Sequence, residues 1–272
     1  MRSDYPLVLI RGGGDLATGT AARLHRCGFR VVVTEISKPL AVRRLVALAE
    51  AVYTGEVHIE EFHGRRVEDL EAVFRVHEEG AIPVLVDPAA DCRRSLQPEV
   101  LVDGRMRKAP PEFGMEAALL VIGLGPGFTA GIDCHAVIET NRGHNMGRVY
   151  WEGSAEADTG IPEKIVNHDI DRALRAPNSG RFEGRIPLGS IVREGEVIAA
   201  VDDIPLEAPF DGALRGLLHS GLEVEVGMKV GDLDPRGEPS YCYQISDKSL
   251  AIGGGVIEAI LSRPQFRVHL EG

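Results

Sequence analysis

Apolar and polar positions divide the chain into two unlike parts. Over residues 1–174, short apolar runs recur between glycine-rich or polar breaks, the pattern of buried strands in an open α/β sheet. Pro6 to Ile10 is the first such run, and it breaks directly into RGGGDLATG. Asp15 to Cys27 then places Leu16, Ala17, Thr20, Ala21 and Leu24 at helical spacing, with Gly28 as C-cap. Phe29 to Thr34 is β-branched and strand-like. Strand, turn, helix and strand in this order predict a right-handed parallel βαβ unit. Further on, the pattern predicts helices begun by Pro39 (to Ala51) and over Val67 to Glu79. Strands are expected at Ile82–Val86, Val100–Val102, Ala118–Ile122 and Ala136–Ile138. The expected architecture is α/β, a doubly wound Rossmann-like parallel sheet.

Past residue 175 the pattern repeats on itself at an offset of 32 residues. Ala176-Pro177 aligns with Ala208-Pro209, Gly180 with Gly212, Gly184 with Gly216, Gly189 with Gly221 and Gly195 with Gly227. Glycines at such intervals mark turns between short strands. Two intertwined copies of this kind resemble the barrel-sandwich hybrid of biotinyl and lipoyl carriers. Those carriers hold a lysine on the hairpin between the halves; here that hairpin, Asp202 to Glu207, has none, and Lys229 lies in another turn. No covalent cofactor is therefore expected, and the module is read as a docking surface or a lid. A helical run from Leu250 to Leu261 contains Gly253-Gly254-Gly255, costly in a helix unless something approaches closely. The expected division is 1–174 for the cofactor-binding α/β domain, 175–236 for an inserted all-β module, and 237–272 for a return to the α/β domain.

The candidate chemistry sits at the first turn. Gly12, Gly13, Gly14, Asp15, Leu16 and Ala17 fit G-x-G-x-x-A, in which the first glycine makes the turn and Gly14 lets a pyrophosphate approach. The helix start offers free N–H groups to an anion. Glu35 follows 21 residues after Gly14, where an acid binds ribose hydroxyls in dinucleotide enzymes. The alternative is a purely structural turn with Glu35 in solvent, and Asp15 would repel a phosphate unless it is otherwise engaged. A second loop, Gly123 to Gly131, offers Gly123, Gly125, Gly127 and Thr129 as anion donors, again against a plain turn. It lacks a GK[ST] ending, so ATP hydrolysis is not implied. Asp133, Cys134 and His135 stand together, and Cys242 lies between two tyrosines, but no catalytic residue is assigned and no metal site is expected. The segment RMRKAPPEFGM carries no motif.

The net charge of −11 argues against a general nucleic-acid or anionic-membrane binder, so any phosphate must be held locally. The glycine-broken run Ala117 to Ile132 is no membrane span, and the first fifteen residues do not form a secretory signal. Four cysteines at spacings unlike zinc or disulfide frameworks predict a cytoplasmic chain with reduced thiols. A homo-oligomer is allowed.

Six long stretches together resemble one family: LIRGGGDLATGTAARLHRCGF, VVTEISKPLAVRR, AEAVYTGEV, VIGLGPGFTAGIDCHAVIETNRGHNMGRV, EGSAEADTGIP and DPRGEPSYCYQISDKSLAIGGGVIEAIL. This is the YqeB family of accessory proteins for selenium-dependent molybdenum hydroxylases, related to XdhC/CoxI-type molybdenum cofactor maturation factors. The resemblance implies a maturation role, with a molybdopterin-type cofactor or NAD(P) or another dinucleotide as ligand and a hydroxylase subunit as partner. Two alternatives accompany it: an NAD(P)-dependent oxidoreductase, and a non-catalytic adaptor docking the hydroxylase through its β module. Whether the chain catalyses a reaction is left open.

Overall fold

The central strands are continuous Leu, Val and Ile because both their faces are covered. β1 (Leu7–Arg11) and β2 (Arg30–Glu35) pair in parallel, joined by α1 (Asp15–Arg26), which ends at Gly28 in a left-handed conformation (φ 89°). The computed structural model describes residues 5–107, 110–157 and 172–267; the stretch EGSAEADTGIP therefore lies partly outside the described residues. Onward come α2 (Ala51–Thr54), β3 (Glu56–Ile59), β4 (Phe62–Val67), α3 (Leu70–Glu78), β5 (Ile82–Val86), α4 (Arg93–Leu96) and β6 (Val100–Asp103). β7 (Leu120–Leu124), β8 (Thr129–Ala130), β9 (Ala136–Ile138), β10 (Val149–Tyr150) and β11 (Gly153–Ser154) follow. Asp69 caps α3 by accepting from the Ala72 N–H at 2.8 Å.

Among the described residues nine strands form one sheet in the order β10-β9-β7-β6-β1-β2-β5-β4-β3. The sheet corrects the expectation of a doubly wound, wholly parallel Rossmann-like fold. It is mixed, with β10 antiparallel to β9 at one edge and β3 antiparallel to β4 at the other. Its helical cover is sparse. The described parts of the β6–β7 connection hold only a 3-10 turn, Met115–Ala117, because prolines and glycines there stop a helix. The helix expected over 39–51 is also replaced, by 3-10 turns at Arg44–Val46 and Leu48–Glu50 and the single turn α2. The Leu217 N–H donates to the Val42 carbonyl at 2.8 Å and Arg44 Nε to the Leu217 carbonyl at 2.8 Å. Bonds from a distant part of the chain thus claim the Val42 carbonyl and the Arg44 side chain.

That distant part is a second body with its own core, in which Phe182, Val192, Ile198, Leu214 and Leu233 are buried. It comprises β12 (Ala173–Arg175), β13 (Gly180–Gly184), β14 (Ile191–Val192), β15 (Val197–Val201), β16 (Ile204–Glu207), β17 (Gly212–Leu217), β18 (Leu222–Val224) and β19 (Lys229–Asp234). The 32-residue repeat is visible, and the copies interlock: β13 of the first pairs with β18 of the second, and β17 of the second with β14 of the first. The barrel of the biotinyl and lipoyl type is corrected too. Two separate four-stranded antiparallel sheets, β12-β19-β17-β14 and β16-β15-β13-β18, face each other, and among the described residues no ladder joins them. Edge strand β14 has only two residues, and edge strand β16 carries Pro205, which has no N–H to donate.

α5 (Asp247–Leu261) and α6 (Pro264–Arg267) close the described chain. α5 lies directly on α1, and its glycines are the reason it can. A Cβ on Gly253 would sit 2.8 Å from the Gly19 carbonyl oxygen, one on Gly19 would meet Ser249, and one on Gly255 would strike the Gly147 carbonyl. The close approach foreseen for these glycines is to backbone. Ile252, Val256, Ala259 and Ile260 are buried in the same core as β1, α1 and β7.

Candidate anion-binding cleft

The turn from β1 into α1 brings the start of the helix to open space. Gly12 holds φ 90° and donates to the Thr34 carbonyl at 2.8 Å, so the chain reverses at once. Gly13 is packed tightly, since a Cβ there would lie 2.8 Å from the Ala49 nitrogen. Gly14 is the N-cap of α1, with extended backbone (φ −70°, ψ −179°), no capping side chain, and open space where a Cβ would stand. The first-turn N–H groups of a helix have no partner within it and carry its positive end.

The open space is a cleft of about 650 Å³ at the C-terminal ends of β1, β2 and β6. Leu16, Ile36, Leu40 and Met106 give it apolar walls, and Arg105, Arg107 and Lys229 supply positive charge. Ile36 and Leu40 are 42% and 49% exposed, large apolar side chains left uncovered beside an anion seat.

The carboxylates at the cleft are already engaged. Glu35 accepts from the Gly13 N–H at 2.7 Å and the Ile36 N–H at 2.8 Å, so it pins the glycine turn to the end of β2. Burial holds its carboxyl above the ordinary value, although the two N–H donors and Arg105 pull the other way. Asp15, which also lines the cleft, is bonded at both oxygens. Its carboxylate takes Arg43 Nη1 at 2.8 Å and the Ser249 hydroxyl at 2.7 Å, so its charge is countered by that of Arg43. Asp87 accepts from the Cys92 N–H at 2.8 Å.

Of the residues proposed from sequence, the structure brings Gly12, Gly14, Asp15 and Glu35 to the cleft wall, with Gly13 directly behind. Gly123, Gly125, Gly127 and Thr129 do not line it. The Gly125 N–H donates to the Ile138 carbonyl and the Thr129 N–H to Asp133 at 2.9 Å, while a Cβ on Gly123 would collide with Phe128. That loop is a packed turn running into the β8–β11 pair. His135 accepts from the Val121 N–H through Nδ1 at 3.0 Å, and burial pushes the neighbouring Cys134 thiol up to about 11. Cys242 is buried with its thiol raised for the same reason. Among the described residues no group of His, Cys, Asp and Glu is arranged to hold a metal.

Arg105, Arg107 and Lys229 were not singled out as site residues. Their signal was Arg105, Arg107 and Lys108 crowding behind the strand-terminal Asp103, inside the stretch that carried no motif. Lys229 belongs to the second body and reaches the cleft only through tertiary packing.

Comparison with known proteins sets the expectations from resemblance against findings. No protein-family model matches the chain. It is 45% identical over 259 residues, 95% of its length, to the Escherichia coli (strain K12) protein YqeB, described as uncharacterized. The chain spans about half, 48%, of that protein. Among solved structures it is similar to an aspartoacylase family protein from Mesorhizobium loti (TM-score 0.26, 13% identity, 85% of each chain). It is also similar to a succinylglutamate desuccinylase/aspartoacylase from Rhodobacter sphaeroides (TM-score 0.24, 12% identity, 84% of this chain and 85% of that one). A third is the ectoine utilization protein EutE from Ruegeria pomeroyi (TM-score 0.24, 12% identity, 84% and 57%).

These findings correct the family reading. The relative it matches, YqeB, is described as uncharacterized, no family model matches, and none of these proteins is an XdhC/CoxI-type molybdenum cofactor maturation factor. The maturation role, the NAD(P)-dependent oxidoreductase, the adaptor role, and the hydroxylase-subunit and pterin partners drawn from that resemblance are withdrawn with it. The geometry agrees at one point: Glu35, expected on a ribose, spends both oxygens on backbone N–H groups. TM-scores this low transfer no activity to this chain either. Among the described residues no helix is long and apolar enough to cross a membrane.

Proposed function

We propose that this chain is a small-molecule binding unit whose cleft takes a ligand with an anionic group. The group sits on the first turn of α1, and an apolar body lies against Ile36, Leu40 and Met106. The observation that carries this reading is Gly14, an N-cap without a side chain, opening onto the cleft. Asp15, Glu35 and Asp87 are all held by protein donors, which favours binding over turnover as the role of the cleft. The four free cysteines suit a reducing compartment, and we place the protein in the cytoplasm on that ground.

Titration calorimetry with inorganic phosphate tests the seat. Wild type should bind, and Gly14→Asp should not. At an N-cap with extended backbone an aspartate folds its carboxylate onto the same N–H groups, so the variant blocks the seat while keeping the helix. A folded Gly14→Asp protein that binds phosphate like wild type overturns the assignment. Mass spectrometry of small molecules released from purified protein identifies the natural ligand.

A further inference from the structure

Beside the helix seat, three guanidiniums converge on one carboxylate. Glu112 accepts from Arg11 Nη2 at 2.5 Å, from Arg105 Nη1 at 3.1 Å, and from Arg107 Nη1. The backbone turns sharply at Met106 (φ 55°), and the arginines on either side of it meet at that acid. Arg11 is buried to 1% exposure, its Nε has no partner, and its guanidinium lies 4.4 Å over the Phe113 ring. Asp103 takes two bonds from the Arg105 guanidinium, at 2.9 and 2.6 Å, one from the Arg105 backbone N–H at 3.3 Å, and one from Arg11 at 3.4 Å. Two carboxylates are bonded directly to the three guanidiniums, Arg11 Nη2 also donates to the Pro88 carbonyl at 3.1 Å, and Asp87 and Glu35 feel the charges of Arg11 and Arg105 while bonded to their own N–H donors.

The two acids differ in how firmly they are placed. The Asp103 side chain is 7% exposed at the end of β6, whereas the Glu112 side chain is 41% exposed and belongs to no regular element. An outer carboxylate resting on a buried, incompletely satisfied guanidinium occupies the place an external anion would take. The arginines hold the Glu112 carboxyl down at about 2, so it is charged at neutral pH. This place adjoins the helix seat. A Cβ on Gly12 would lie 3.2 Å from Arg105 Cγ, and Gly12 is two residues from Gly14.

We propose that Arg11, Arg105 and Arg107 form a second anion seat, that Glu112 fills it in the unliganded chain, and that the ligand carries a diphosphate group spanning both seats. This rests on the helix-seat reading above and gives its ligand a chemical class. No bond is made or broken; Glu112 is displaced into solvent.

The test is calorimetry on the full chain with inorganic pyrophosphate and with ADP as an esterified diphosphate. Removing the competing charge in Glu112→Gln should tighten pyrophosphate by about tenfold, and Arg107→Gln should weaken it by a similar factor, the scale of one charge-assisted bond. A gain larger for ADP than for pyrophosphate marks an esterified ligand, and the reverse marks the free anion. Pyrophosphate and ADP affinities unchanged within about twofold in both variants overturn the second seat. If Glu112→Gln fails to fold, Glu112→Ala and the half-exposed Arg107→Gln carry the measurement. Gly14→Asp separates the two readings. Lost phosphate binding there with no response to Glu112→Gln removes the second seat alone; a response to Glu112→Gln with Gly14→Asp silent removes the helix seat alone.

Discussion

Glu35 shows how far one residue's role depends on what faces it. Its place at the end of β2 is legible in the sequence, but the Gly13 and Ile36 N–H groups that claim it are not. Because burial raises its folded pKa above 4.5, the folded state binds this proton more tightly than the unfolded chain. The resulting stability is present below the unfolded pKa and is lost as pH rises through the folded one. Melting temperatures from pH ~4 to ~7 should therefore fall for wild type relative to Glu35→Gln, and parallel curves would refute the assignment. The cysteines make a second check. Cys27 is exposed, whereas burial pushes Cys92 up to about 12 and Cys134 to about 11, and Cys242 is buried. Iodoacetamide at neutral pH should label Cys27 alone in the native protein, read by peptide mass spectrometry, and all four only after unfolding.

Among the elements, the α1–α5 contact sets packing against propensity. Gly→Ala in a helix interior gains about 1 kcal/mol from propensity, while overfilling a packed site costs about 1–3 kcal/mol. Gly254 has open space at its Cβ position, so Gly254→Ala should stabilise the protein in urea unfolding. Gly19 faces the Ser249 backbone, its Cβ position only 2.6 Å from that carbonyl oxygen, so Gly19→Ala should destabilise it. Equal shifts in the two variants would show that the helices do not touch as described. The triple glycine already signalled a close neighbour, but not which one. The 39–51 segment failed as a helix for the complementary reason, since its apolar spacing is helical and its hydrogen-bond partners lie in β17.

For the whole molecule, Arg43 is a main tie across the chain. At 8% exposure it joins Asp15 of α1 to the Tyr241 and Gln244 carbonyls at 3.2 and 3.0 Å. Arg43→Ala strands a partly buried carboxylate and two carbonyls, and should cost about 3–5 kcal/mol in chemical denaturation. A loss below about 1 kcal/mol would make it a surface pair.

By itself the sequence determined the strands and helices whose signal is local: β1, α1, β2, β5, β9, the 32-residue repeat and the glycine turn at residues 12–14. These follow from side-chain spacing and backbone freedom, which each short segment carries alone. Tertiary structure decided the rest. It made the sheet mixed, because β3 and β10 attach by edge pairing that no periodicity announces. The Gly123–Gly131 loop became a packed turn through donors and partners that meet only after folding. Arg105, Arg107 and Lys229 gathered at one cleft from two distant stretches, with Arg11 buried behind them and bonded to the same Glu112, since charge complementarity acts through space and leaves no spacing to read.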